Sequence, residues 1–244
     1  MKDSGETGAA PPRQGLHGRR KGKRLRSHHQ DLMANMLPSL RLRDAADVAE
    51  TLARSGAAGR ELWLEIGFGG GEHLAAQARA WPGVDFIGCE PFLNGVAKLL
   101  AEIAAGDLAN IRIVPDDAAK LMETLPAASI GRVWLLFPDP WPKRRQKKRR
   151  FINAENLAAL ARIMKPGAEL RFATDIDDYA GWGLARIRDC GHFEWSNARA
   201  ALWTRPWEGH CATRYEEWAI EQGRKPVYLT FVRRASSTPP ASPP

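Results

Sequence analysis

The chain has 244 residues, 44% of them apolar, and a net charge of +8, which suits one α/β domain with a real core and a polyanionic partner. Its three cysteines, Cys89, Cys190 and Cys211, stand far apart with no C-x-x-C spacing, which argues against a disulfide framework or a zinc site and fits a reducing cytoplasm. No run of about 18 apolar residues occurs, and no apolar stretch follows the N-terminal charges, so neither a membrane span nor a secretory signal is expected.

Residues 1–15 are rich in Gly, Pro and polar side chains, and residues 17–26 (HGRRKGKRLR) carry six cations, so residues 1–27 are expected to be a largely disordered basic arm. Residues 28–233 are the expected folded domain, in which strand-like and helix-like segments alternate as in a mostly parallel sheet. Glu61–Ile66 is an apolar strand running into glycines, and Glu72–Ala80 is a helix ended by Trp81-Pro82-Gly83. Val84–Glu90 is a second strand, Phe92–Ala105 a helix closed by Gly106, and Ile111–Pro115 a third strand followed by a helix over Ala118–Glu123. Ile130–Phe137 is near-continuously apolar, like a central parallel strand. The block 143–150 (KRRQKKRR) follows with seven cations; outside the two blocks 23 basic residues face 28 acidic ones. A helix over Asn153–Met164 stops at Lys165-Pro166-Gly167, Glu169–Thr174 is a fifth strand, and Asp177–Cys190 is a helix. Phe193–Trp195 and Val227–Val232 pair to close the sheet. The Trp-rich stretch 197–224 reads as an irregular loop on the substrate side, and residues 234–244 as a disordered Pro-rich tail.

Four positions carry chemistry. Gly67, Gly69 and Gly71 form a G-x-G-x-G turn, where glycine permits sharp dihedrals and close approach of a ligand. A dinucleotide fingerprint needs glycine at 72; Glu72 stands there and would repel a pyrophosphate. S-adenosylmethionine has no phosphate and carries two cationic groups, which Glu65 just before the turn suits. Glu90, about 20 residues on, is placed for ribose hydroxyls. Asp117 is placed for an adenine amino group, a task that Asp116 could share unless it caps the next helix. The fourth is Phe137-Pro138-Asp139-Pro140-Trp141-Pro142-Lys143: two prolines hold a carboxylate at the carboxyl edge of the sheet, Trp141 offers a face for a base, and the cations behind it offer themselves to phosphates.

With LEIGFGGGEHL (64–74), FIGCEP (86–91), FPDPWPKRRQKKRR (137–150), ATDIDDYA (173–180) and TRYEEWAIEQGRKPVYLTF (213–231), the chain resembles the bacterial tRNA (guanine-N7)-methyltransferases over about residues 16–233. The resemblance implies a Rossmann-like class I methyltransferase fold, a seven-stranded mostly parallel sheet with helices on both faces. It implies methyl transfer from S-adenosylmethionine to N7 of guanine 46 in the tRNA variable loop, with no metal. By matched position, Glu65, Gly67, Gly69, Glu90, Asp117 and Asp139 would contact the cofactor, with Asp139 also catalytic. Lys143, Arg145, Gln146, Lys147, Lys148, Arg149, Arg150, Asp175, Thr213, Arg214, Tyr215 and Glu216 would face the RNA. Pro142 departs from the residue usual there and bears on where Lys143 points. The competing readings are a methyltransferase of another RNA or a protein, a nicotinamide-dependent oxidoreductase, and a non-catalytic RNA-binding module.

Overall fold

The computed structural model describes residues 20–235; the arm before residue 20 and the tail from 236 lie outside the described residues. Helices α1 (Ser27–Asn35), α2 (Leu37–Leu40) and α3 (Ala45–Ala57) precede the first strand. Then come β1 (Glu61–Ile66), α4 (Glu72–Ala80), β2 (Val84–Cys89), α5 (Leu93–Gly106), β3 (Ile111–Val114), α6 (Ala118–Thr124) and β4 (Ile130–Leu136). A 3-10 helix over Arg144–Arg149 leads to α7 (Ala154–Ile163), β5 (Met164–Thr174), α8 (Asp177–Asp189), β6 (Phe193–Trp195), α9 (Ala200–Trp203), α10 (Arg214–Glu221) and β7 (Val227–Arg233).

The seven strands lie in the order β3-β2-β1-β4-β5-β7-β6. The first five run parallel, and β7 is antiparallel to both β5 and β6. The parallel strands are apolar almost throughout because helices cover both faces. Leu62 and Leu64 of β1 pack on one face with Val48 of α3, Leu121 of α6 and Leu160 of α7. Trp63 points to the other, with Leu74 of α4, Val96 and Leu99 of α5, and Trp134 of β4. Side chains two apart on a strand share a face, so Glu65 follows Trp63 toward α4. The order reverses between β1 and β4, which opens a crevice at their carboxyl ends.

Three stretches differ from the sequence reading. No element is expected between residues 28 and 60, yet α1, α2 and α3 stand there; α1 has no buried residue, so no apolar stripe announces it. Residues 197–224 hold α9 and α10, and α10 opens on a capping box of Thr213 and Glu216. β5 begins at Met164, before the expected Pro-Gly stop: its register jumps between Ile130 and Arg132 of β4, and Pro166 and Gly167 (φ 82°) sit in that irregularity. Among the described residues no helix is long and apolar enough to cross a membrane.

Candidate active site and RNA-facing surface

The glycine turn sits at the crevice. Gly67 and Gly69 take φ of 73° and 56°, and no atom lies within 4 Å of where a Cβ would stand on either. They present bare backbone to open space. Gly71, also left-handed, is required for packing: a Cβ there would stand 2.7 Å from Leu99.

Carboxylates converge on this turn. Glu90, at the end of β2, accepts from Gly69 N (2.9 Å) with one oxygen and from Phe92 N (2.8 Å) with the other. Burial pushes its carboxyl above the usual glutamate range despite those two donors, and the nearby charges of Asp139 and Glu65 push it further. Glu65, 1% exposed, is paired at 2.7 Å with Nδ1 of His73, the second residue of α4. Asp117 is the N-cap of α6, accepting from Ala119 N at 2.9 Å. The capping role weighed for Asp116 thus belongs to Asp117, while Asp116 meets Lys120 (3.0 Å) and Arg20 (3.7 Å). Asp116 and Asp117 therefore remain side by side at this edge, each already engaged. The described end of the basic arm crosses the same edge. Leu93 N donates to Arg20 O, Gly22 N to Asn94 Oδ1, and Asn94 Nδ2 to Lys23 O.

Asp139 stands beyond β4, between prolines. Phe137 and Trp141 on either side hold φ of 47° and 41°, left-handed values that non-glycine residues rarely adopt. Such strain persists only where the surroundings impose it, and it clusters at functional sites. Asp139 is exposed as a residue, and desolvation by the neighbouring chain raises its carboxyl above the ordinary aspartate range.

The basic run divides into two kinds of residue. Lys143, Arg144, Arg145 and Lys148 line one open hollow. Arg144 is absent from the set expected to face RNA, although it belongs to the same run. Gln146 is half-buried within the 3-10 helix, and Arg149 lies over the Trp141 ring, 5.0 Å from its centroid. Arg150, also expected to face RNA, is 0% exposed and turned inward. Its Nε donates to Pro140 O (2.8 Å), it pairs with the Asp178 carboxylate, and it lies over the rings of Tyr179 and Trp182. Lys147 joins it on Asp178 at 2.6 Å.

The segment at α10 is likewise mixed. Tyr215 is exposed, 6.0 Å from Phe137 between ring centroids. Arg214 pairs with Glu72 (2.8 Å), and Thr213 caps the helix. Glu216, expected to face RNA, is 2% exposed and held by His210 and Tyr228. Asp175 is buried, with Oδ2 2.9 Å from Arg224 Nη1. That contact lacks hydrogen-bond alignment and leaves Oδ2, Arg224 Nε and Arg224 Nη2 buried without an aligned partner. His73 and His210 were not foreseen; each is a lone histidine in sequence, and only the fold brings them together.

A family model described as a putative methyltransferase matches residues 59–229. Proteins named tRNA (guanine-N(7)-)-methyltransferase from Rhodopseudomonas palustris (strain BisB18) and Bradyrhizobium diazoefficiens are each 48% identical to the chain. The alignments cover 98% of this chain and 95% of the first relative, and 88% and 92% for the second. Among solved structures, the 16S rRNA methyltransferase KamB is similar with a TM-score of 0.55 at 18% identity, over 74% of this chain and 92% of that one, a likeness of fold.

Proposed function

The chain belongs to the tRNA (guanine-N7)-methyltransferase family, and on that premise we propose that it methylates N7 of guanine 46 in the tRNA variable loop, using S-adenosylmethionine and releasing S-adenosylhomocysteine. The observation that carries this reading is the crevice itself: Glu65, Glu90 and Asp139 stand at the carboxyl ends of three adjacent strands, with Glu90 hydrogen-bonded to the open glycine turn. Such a cluster attracts a sulfonium and an ammonium and repels a phosphate. The bare backbone at Gly67 and Gly69 leaves room for the group.

When bound there, S-adenosylmethionine supplies an electrophilic methyl group. Glu65 is assigned to the ammonium, Glu90 to the ribose hydroxyls and Asp117 to the adenine edge. Guanine N7 has a free lone pair and no proton, so the protein needs no general base. Its work is alignment and electrostatic support. Asp139 orients the guanine and favours the positive charge that moves onto its ring. Asp175, whose Oδ2 has no aligned hydrogen bond, is assigned to the guanine N1–H and amino edge, both donors. Lys143, Arg144, Arg145 and Lys148 take phosphates, and the target base is splayed from the tRNA core. Incubation with labelled S-adenosylmethionine and unmodified tRNA, then chemical cleavage at 7-methylguanosine, tests this. A cut in the variable loop is expected, and its absence overturns the reading.

A further inference from the structure

We propose that His73 and His210 are positioning residues that join the cofactor acid Glu65 to the start of α10, so that the cofactor crevice and the RNA-facing segment are set by one another. The inference rests on the proposed function for what occupies each end, and on the following geometry for the connection itself.

The connection is a continuous buried row. His73 Nδ1 lies 2.7 Å from Glu65 Oε2, with both side chains almost wholly enclosed. The His73 ring faces the His210 ring at 5.3 Å between centroids, tilted by 42°. His210 Nε2 lies 2.7 Å from Glu216 Oε2, and Tyr228 donates its hydroxyl to the other oxygen of Glu216. Glu216 also closes the α10 capping box, its backbone N–H donating to Thr213 Oγ1 at 3.1 Å. Burial alone would raise the Glu216 carboxyl, but the hydrogen bonds from His210 and Tyr228 outweigh it and hold it below the usual glutamate range.

Both carboxylates accept only, so each fixes which nitrogen carries hydrogen: Nδ1 in His73 and Nε2 in His210. His210 Nδ1 is buried without a partner, and Trp207 and Tyr228 box the ring at 5.7 and 5.5 Å between centroids. Leucines would fill this space without desolvating two carboxylates. A polar row in their place defines one arrangement, since shifting either end strands a buried carboxylate.

Two further ties run in parallel. Glu72 pairs with Arg214 at 2.8 Å, and Gln77 Nε2 donates to Gly209 O at 2.8 Å. Residues 72, 73 and 77 of α4 thus grip the segment 209–216. α4 starts directly from Gly71, the last glycine of the cofactor turn. Any adjustment of that turn on cofactor binding therefore reaches the segment carrying Tyr215, and thermodynamic linkage requires the reverse effect to be equal.

The test pairs removal with conservative rescue. His73→Leu and His210→Leu delete the donors; His73→Asn and His210→Gln keep a donor near the original nitrogen. The readouts are S-adenosylhomocysteine affinity by calorimetry, with and without tRNA, KM for tRNA at saturating cofactor, and thermal unfolding. His73→Leu is expected to weaken S-adenosylhomocysteine by about tenfold, the loss of one charge-assisted hydrogen bond, and His73→Asn to recover most of it. His210→Leu is expected to raise KM for tRNA more than it lowers kcat, with recovery in His210→Gln. In either Leu variant, bound tRNA should alter S-adenosylhomocysteine affinity less than it does in the wild type, with the parallel ties of Glu72 and Gln77 carrying what remains. Folded Leu variants with unchanged affinities and coupling overturn the proposal. So do losses that Asn and Gln fail to recover, which would reduce the row to packing. Where a Leu variant does not fold, wild-type-like affinities and coupling in His73→Ala or His210→Ala overturn it equally. A wild-type chain that binds S-adenosylhomocysteine but leaves tRNA unmethylated would overturn the proposed function and leave the His73–Glu65 role standing.

Discussion

At the cofactor edge, both oxygens of Glu90 are held by backbone N–H groups, and Glu65 is enclosed against His73. Across the crevice, Lys143, Arg144, Arg145 and Lys148 stand in water on an open surface, while Arg150 and Lys147 of the same run turn back onto Asp178. The acidic side is held by hydrogen bonds within the fold itself, so its geometry is set by the protein. The basic side is partly scaffold and partly free charge. A run of cations in sequence is therefore not a uniform RNA-binding surface: its enclosed and its open residues should respond differently to substitution, and both differently from the acids opposite.

The largest effect is expected at Asp139. Asp139→Ala should slow single-turnover methylation by about 10²–10³-fold, the scale of losing one preorganised electrostatic group, with cofactor affinity measured separately. Near wild-type chemistry would remove Asp139 from the mechanism. Burial raises its pKa, so the rate should fall as pH drops through a value above the ordinary aspartate range, and Asp139→Asn should lack that acid limb. Stability has the opposite sign. A carboxyl with a raised folded-state pKa binds its proton more readily when folded, so Asp139 favours the folded state more as pH falls through that value. Activity and stability should diverge there.

Next in size is Arg150. Its removal strands the Pro140 carbonyl, breaks the Asp178 pair and opens a gap against Tyr179 and Trp182. Arg150→Ala should lower stability by about 2–3 kcal/mol in urea unfolding, against less than about 0.5 kcal/mol for Arg145→Ala. Equal losses would erase the distinction between scaffold and free cations.

The free cations come third. Replacing Lys143, Arg144, Arg145 and Lys148 together by Ala should weaken tRNA binding at least about tenfold and flatten its salt dependence by about three units of log–log slope. The rate at saturating tRNA should change far less. An unchanged slope would place the RNA elsewhere.

The legibility of the chain in sequence follows the same division. The parallel strands were readable because burial on both faces makes them apolar runs bounded by Gly and Pro, and Glu61–Ile66 matches at both ends. That Glu65, Glu90 and Asp139 lie at strand ends was readable for the same reason, because the ends of β1, β2 and β4 were. Arg150 was not: seven cations in eight residues look alike until a 3-10 helix turns one of them inward. The enclosure of Glu216 went unread for a related reason. Thr-x-x-Glu at 213–216 is a capping signature, and a capping glutamate points back at its own helix start. The histidine row carries no sequence signal, because His73 and His210 meet only when α4 packs beside the segment before α10.

The smallest effect, at Lys147, is the sharpest test of that division. Lys147 pairs with Asp178 at 2.6 Å, and Asp178 is 53% exposed, so water and salt screen the pair. Hydrogen bonds from Lys147, then Arg150, hold the Asp178 carboxyl below the usual aspartate range. Its contribution is thus present above that range and fades as pH falls through the lowered value. An exposed pair contributes about 0–1 kcal/mol, so Lys147→Ala should barely move the urea midpoint. Its ammonium is already held by Asp178, so the salt slope for tRNA should change by less than about half a unit, where one free phosphate contact is worth nearly one. Asp178→Asn should do the reverse, releasing Lys147 and steepening the slope. If Lys147→Ala flattened the slope as much as Arg145→Ala, the Asp178 pair would have to open when RNA binds, and Lys147 would move from the scaffold to the binding surface.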